Sequence, residues 1–96
     1  MNRNEVISSL KNIKEEIHQK YRVKKIGIFG SVARGTATEE SDIDIYAEFE
    51  PEADILDFSG LSIELETMFH RSIDITTPKG IREEMRSTVF RDLIVV

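Results

Sequence analysis

The segment Asp42 to Phe49, DIDIYAEF, alternates acidic or small residues with Ile and bulkier side chains. A period of two belongs to a strand whose two faces meet different surroundings. Ile43 and Ile45 then enter a core, while Asp42 and Asp44 leave the opposite face together, roughly 7 Å apart by the rise of two residues. Two such carboxylates repel one another, and no Lys or Arg lies in the same run to offset them. The pair is unfavourable unless a cation sits against it. Magnesium, which commonly uses one or two carboxylates together with substrate phosphates, suits the pattern. The plain alternative is a solvated strand entrance carrying two acids.

The rest of the chain supplies elements to pack around that strand. Val6, Leu10, Ile13, Ile17 and Tyr21 step by four, three, four and four, which predicts an amphipathic helix over 4–21. Lys24 to Phe29 reads as a buried strand stopped by Gly30, and Ser31 to Gly35 as a turn or a short helix. After Pro51 ends the acidic strand, Phe58, Leu61, Leu65 and Met68-Phe69 restore helical spacing over 57–70. Ser72 to Thr76 predicts a third strand. Thr77-Pro78 reads as a helix start, with Ile81, Met85 and Val89 continuing that helix. Leu93 to Val96 is apolar and reads as a fourth strand, a helix end packing home, or a patch awaiting a partner. The order predicts one α/β domain over residues 1–96: a small sheet of three to four strands flanked by helices.

Gly30 directly after a strand lets the backbone turn and approach another group closely. If residues 31–34 begin a helix, their free N–H groups form an anion site to which the Ser31 hydroxyl adds a donor. Arg34 is read either as a phosphate contact or as a solvent-facing or ion-paired side chain. The segment lacks the Lys-Ser/Thr ending of a P-loop. Asp74, between Ile73 and Ile75, opposes both isoleucines by alternation, as Asp42 and Asp44 oppose theirs. An acid among apolar neighbours either reaches water at a strand edge or joins the other two. Three carboxylates on one sheet face suit two-metal phosphoryl chemistry, in which one acid takes the acceptor proton.

Composition narrows the classes. A net charge of -5 argues against an extended nucleic-acid surface, since phosphate contacts need clustered Lys and Arg. With no Cys there is neither disulfide nor thiolate metal site. No apolar run approaches the roughly 20 residues that span a bilayer, and no signal peptide is visible, so a cytoplasmic location is expected.

Taken together, G-S-x-A-R-G-x5-S-D-I-D over Gly30 to Asp44, followed by an apolar-Asp-apolar strand, resembles the DNA polymerase β-type nucleotidyltransferase superfamily. More narrowly, it is similar to the small minimal nucleotidyltransferase (MNT) domains. The resemblance implies a mixed sheet with the polymerase β-like fold. It further implies that Gly30 and Ser31 hold the triphosphate of ATP, with Arg34 and Ser41 as further nucleotide contacts. Asp42, Asp44 and Asp74 would be the catalytic acids and the ligands of Mg²⁺, two ions in all. MNT domains often act with a separate helical HEPN protein as the antitoxin of a toxin–antitoxin pair. The resemblance therefore implies AMPylation of a tyrosine on such a partner. The alternatives are an antitoxin that merely masks its partner and a two-component small-molecule nucleotidyltransferase. A homo-oligomer is also compatible.

Other residues are set aside. His18 and His70 close helices, where a cationic ring is favoured by the helix dipole. Tyr46 shares the aspartate face and is read as filling the sheet rather than stacking on a base. Arg82, Arg86 and Arg91 read as a solvated basic face, and the pairs Glu15-Glu16, Glu39-Glu40 and Glu83-Glu84 as surface.

Overall fold

The computed structural model describes residues 2–96. Asn2 starts the first helix, α1 (Arg3–Tyr21), by accepting the Glu5 N–H at 2.9 Å, while the Glu5 carboxylate reaches back to the Asn2 N–H. Strand β1 (Val23–Phe29) follows, then the short α2 (Gly30–Arg34) and β2 (Ile43–Phe49). Helix α3 (Ile55–Phe69) repeats the reciprocal cap with Asp54 and Asp57. Strand β3 (Ile73–Thr76), helix α4 (Arg86–Asp92) and strand β4 (Ile94–Val95) complete the order.

The four strands form one mixed sheet in the order β3-β2-β1-β4. β1 pairs antiparallel with β2 and β4, and β2 pairs parallel with β3. The parallel register aligns Ile43 with Ile73, Asp44 with Asp74 and Ile45 with Ile75. Ile43, Ile45, Ile73 and Ile75 therefore share one face, while Asp44 and Asp74 share the other with Tyr46 and Glu48. Ile26, Ile28, Ile43, Ile45 and Ala47 are buried in a common core with Leu10 and Ile17 of α1 and Leu61, Leu65 and Phe69 of α3. Burial of each such aliphatic side chain stabilises the fold by about 1.5–3 kcal/mol.

The expected sheet and its flanking helices are present, with one correction. The helix expected from Thr77 onward is broken. A single 3-10 turn spans Pro78–Gly80, Ile81 and Arg82 return to extended backbone, a second turn spans Glu83–Met85, and only then does α4 begin. Of the three residues that suggested one helix face, only Val89 is buried, so burial did not hold the stripe together. Of the three readings of the tail the fourth strand holds: β4 joins the sheet beside β1 and the Val96 N–H donates to the Ile26 carbonyl at 2.9 Å. Gly27 makes room for it: a Cβ there would lie 2.5 Å from the Ile94 carbonyl oxygen. Among the described residues no helix is long and apolar enough to cross a membrane.

Candidate active site

The sheet face away from α1 and α3 carries Asp44, Asp74 and Tyr46. Asp44 and Asp74 are register partners on adjacent strands, about 4.8 Å apart by strand spacing. Next to them β1 ends at Phe29 and the chain turns through Gly30, whose φ of 71° is left-handed. A Cβ on Gly30 would lie 2.2 Å from the Asp44 Oδ2 oxygen. The glycine is thus required twice, by its backbone conformation and by the carboxylate pressed against it.

A cleft of about 660 Å³ opens here, within the usual size for a small-molecule site. Gly30, Ser31, Arg34, Asp44 and Asp74 line it, together with residues from Thr76 to Asp92 that form its far wall. Five of the seven residues expected from the sequence therefore meet at one cavity. The N-terminus of α2 has no side-chain cap, which leaves its first N–H groups available at the cleft.

Asp42 and Ser41 are placed differently. Asp42 precedes the first residue of β2 and is exposed, and it does not line the cleft, although its charge reaches Asp44. Ser41 holds the preceding turn instead: its Oγ accepts the Thr38 N–H at 2.9 Å. Arg71 fastens the same turn by donating to the carbonyls of Thr38, at 2.6 Å, and Ser41. This bracing was not legible in the sequence, because an isolated arginine carries no sign of which carbonyls it will meet.

Electrostatically the site is short of positive charge. Burial, then the charges of Asp74 and Asp42, push the Asp44 carboxyl above its ordinary value, against a smaller opposing effect of Arg34. Arg34 itself donates through Nη1 to Asp92 Oδ2 at 2.7 Å, an ion pair between the ends of α2 and α4. The ion-paired reading of Arg34 thus holds, at the rim of the cleft. Asp92 was missed in the sequence, where nothing connects it to a residue 58 positions away. Its carboxyl is held below the usual range by the hydrogen bond from Arg34 and, after burial's opposing effect, by Arg91.

Tyr46 proves to be packing. It is buried, lies edge-on to Phe90 at 5.8 Å between ring centroids, and donates to Glu48 at 2.5 Å. Burial, then the Glu48 contact, push its hydroxyl up to about 12. Of the basic residues of the last helix region, Arg82 reaches the cleft wall and Arg86 lies over the Phe90 ring. His18 contacts the Val23 carbonyl through Nδ1 at 2.8 Å, and His70 caps α3.

The donor set fits a hard divalent cation. It is made only of oxygens, it concentrates like charges with one nearby arginine already engaged, and it faces a cradle that a Cβ would fill. Among the described residues no three acidic or histidine side chains converge on one point. Any cation would therefore take part of its coordination from outside the chain, as magnesium does from substrate phosphates.

Comparison with known proteins agrees with the fold and with the family resemblance. The model of the nucleotidyltransferase domain family matches residues 10–96. The protein adenylyltransferase MntA of Thermococcus cleftensis is 34% identical over 92 residues, covering 96% of this chain and 93% of that protein. A solved structure of a candidate minimal nucleotidyltransferase superposes with a TM-score of 0.82 at 29% identity, covering 98% of this chain and 95% of the other. A toxin–antitoxin crystal structure with AMP-PNP shares the fold at a TM-score of 0.69 and 20% identity, covering 99% of this chain and 72% of that one.

Proposed function

The chain belongs to the nucleotidyltransferase domain family, and from that premise we propose that it transfers AMP from ATP to a hydroxyl acceptor, with Mg²⁺ as cofactor. The observation that carries this reading is the placement of Asp44 and Asp74 side by side at the end of β1, against the glycine that starts α2. Gly30 thus sets the proposed phosphate grip directly against Asp44, one of the proposed metal ligands.

Asp44 and Asp42, with Asp74, would hold two Mg²⁺ ions, which when bound neutralise the phosphates and favour ionisation of the acceptor hydroxyl. Ser31 and the free N–H groups of α2 donate to phosphate oxygens, and Gly30 leaves the space in which phosphate and Asp44 approach each other. Asp74, exposed at the cleft, takes the proton of the acceptor. The acceptor oxygen forms a bond to the α-phosphorus, the bond from that phosphorus to the bridging oxygen breaks, and pyrophosphate leaves. Ser41 serves by holding the loop that carries Asp42, rather than by touching nucleotide.

We assign the acceptor as a tyrosine on an all-helical HEPN-type partner, which makes the chain the antitoxin of a toxin–antitoxin pair. The adenylyltransferase name of the 34% identical relative supports the AMP donor, and the toxin–antitoxin complex of the same fold supports a partner.

The test is to incubate the chain and its partner with ATP labelled at the α- or the γ-phosphate. Label is expected on the partner from the α position only, and is expected to disappear with EDTA, Asp42→Ala or Asp44→Ala. Transfer that survives both substitutions would remove the assigned site. Full suppression of the partner's toxicity by an Asp42→Asn/Asp44→Asn variant would replace chemistry with masking as the antitoxin mechanism.

A further inference from the structure

Arg34 and Asp92 form an ion pair across the rim of the cleft between two distant parts of the chain. Arg34 ends a five-residue helix, and its side chain is 45% exposed. A free arginine in such a place spreads over many rotamers, and ordering it would oppose ligand binding. Asp92 ends α4 on the opposite side, with a side chain only 8% exposed. The 2.7 Å contact between them has the length of a charge-assisted hydrogen bond.

Two details bear on its role. Asp92 engages only the Nη1 group of Arg34, and no other acceptor meets that guanidinium among the described residues. The remaining N–H groups of the fork are therefore available. The second oxygen of Asp92 accepts from the Nε of Arg91 at 3.3 Å. One carboxylate thus faces two guanidinium groups, and the cluster keeps a net positive charge at the rim instead of cancelling it.

We propose that Asp92 is a positioning residue: it holds the Arg34 guanidinium over the cleft so that its free N–H groups receive the phosphates of a nucleoside triphosphate. The inference rests on the nucleotidyl-transfer reading above and adds to it the residue that aims this cation. Asp92 need not touch nucleotide, and its effect is transmitted through Arg34 alone.

A double-mutant cycle tests the assignment. Binding of an ATP analogue with a methylene bridge between the α- and β-phosphorus is measured with Mg²⁺, alongside KM and kcat for ATP. Arg34→Ala is expected to weaken binding about tenfold, and Asp92→Ala about fivefold, the range of an ordinary lost hydrogen bond for a half-exposed side chain. Both raise KM far more than they lower kcat. The double variant should bind no more weakly than Arg34→Ala alone, because residues acting as a unit are not additive. Asp92→Glu, which keeps the carboxylate, should recover most of the loss.

Losses that multiply in the double variant would overturn the proposal, since Asp92 would then act independently of Arg34. Tighter binding by Asp92→Ala would also overturn it, by making Asp92 a competitor of phosphate. So would wild-type affinity in Asp92→Asn, which keeps the shape and guards against a folding defect in Asp92→Ala. Absence of binding by the unaltered chain is a distinct result: it would overturn the nucleotide reading, and this one with it.

Discussion

Two aspartates in this chain are kept from bulk water in opposite ways. Asp57, in the first turn of α3, is buried, yet both of its oxygens accept from the Arg22 guanidinium at 3.0–3.1 Å, and Oδ2 also accepts the Asp54 N–H at 3.0 Å. Asp44, on β2, is partly buried against Gly30 with acids for neighbours, and no hydrogen-bond donor reaches its carboxylate among the described residues. A carboxylate that serves structure is given its counter-charge by the chain. One whose counter-charge is missing is poised for something the chain does not contain, and that contrast separates the α3 end of the molecule from the α2 end.

The sharpest way to break the comparison is to neutralise each acid in turn. Asp44→Asn should lower the transfer rate at least about a hundredfold, as loss of a metal ligand does, while leaving the thermal midpoint unchanged or raised because it relieves repulsion. Asp57→Asn should do the reverse. Breaking a fully buried ion pair costs about 3–5 kcal/mol. Arg22 is half exposed, which reduces the expectation to about 1–3 kcal/mol. That corresponds to a fall of about 5–15 °C in Tm with the rate per folded molecule unchanged. A stability loss in Asp44→Asn equal to that of Asp57→Asn would dissolve the distinction.

A third substitution joins the two effects at one residue. Gly30→Ala places a Cβ in left-handed backbone and against Asp44, so both stability and transfer should fall, stability by about 1–3 kcal/mol. Denaturant titration and the labelling assay on the same sample check it, and a variant of full activity would show that the cradle is not used.

Arg71→Ala comes next in size. It frees the carbonyls of Thr38 and Ser41 to water, at a cost of about 1 kcal/mol or less. The 36–42 loop should then exchange its amide hydrogens faster, and transfer should drop several-fold through Asp42, with no change in α3. The smallest effect on transfer belongs to Tyr46→Phe, which loses one hydrogen bond to Glu48, about 1 kcal/mol of stability. Nucleotide binding should not change, and a marked loss would favour the reading of Tyr46 as a base contact over packing.

Much of the site was legible because it is written in short-range parity. Ile43-Asp44-Ile45 and Ile73-Asp74-Ile75 each assign their faces within three residues, and Gly30 after an apolar strand marks the turn on its own. Other parts of the molecule lack such a signal. Ile81, Met85 and Val89 have helical spacing, but Pro78–Gly80 closes a separate turn and the backbone at Ile81 and Arg82 is extended. Ser41 belongs to the motif, and only its Thr38 partner shows that it braces a loop. Asp42 falls outside β2, so the expected strand parity with Asp44 does not carry it into the cleft.

The sequence by itself determined which residues of Ile43-Asp44-Ile45 and Ile73-Asp74-Ile75 share a face, that the chain turns at Gly30, and the extent of α1 and α3 to within about two residues at each end, since each depends on backbone geometry over a few residues. The tertiary structure alone decided that β3 lies parallel beside β2 and so sets Asp74 next to Asp44. It alone placed β4 against β1 and brought Asp92 across to Arg34. Strand order, register and long-range ion pairs are settled by which surfaces bury one another, and no local period records that choice.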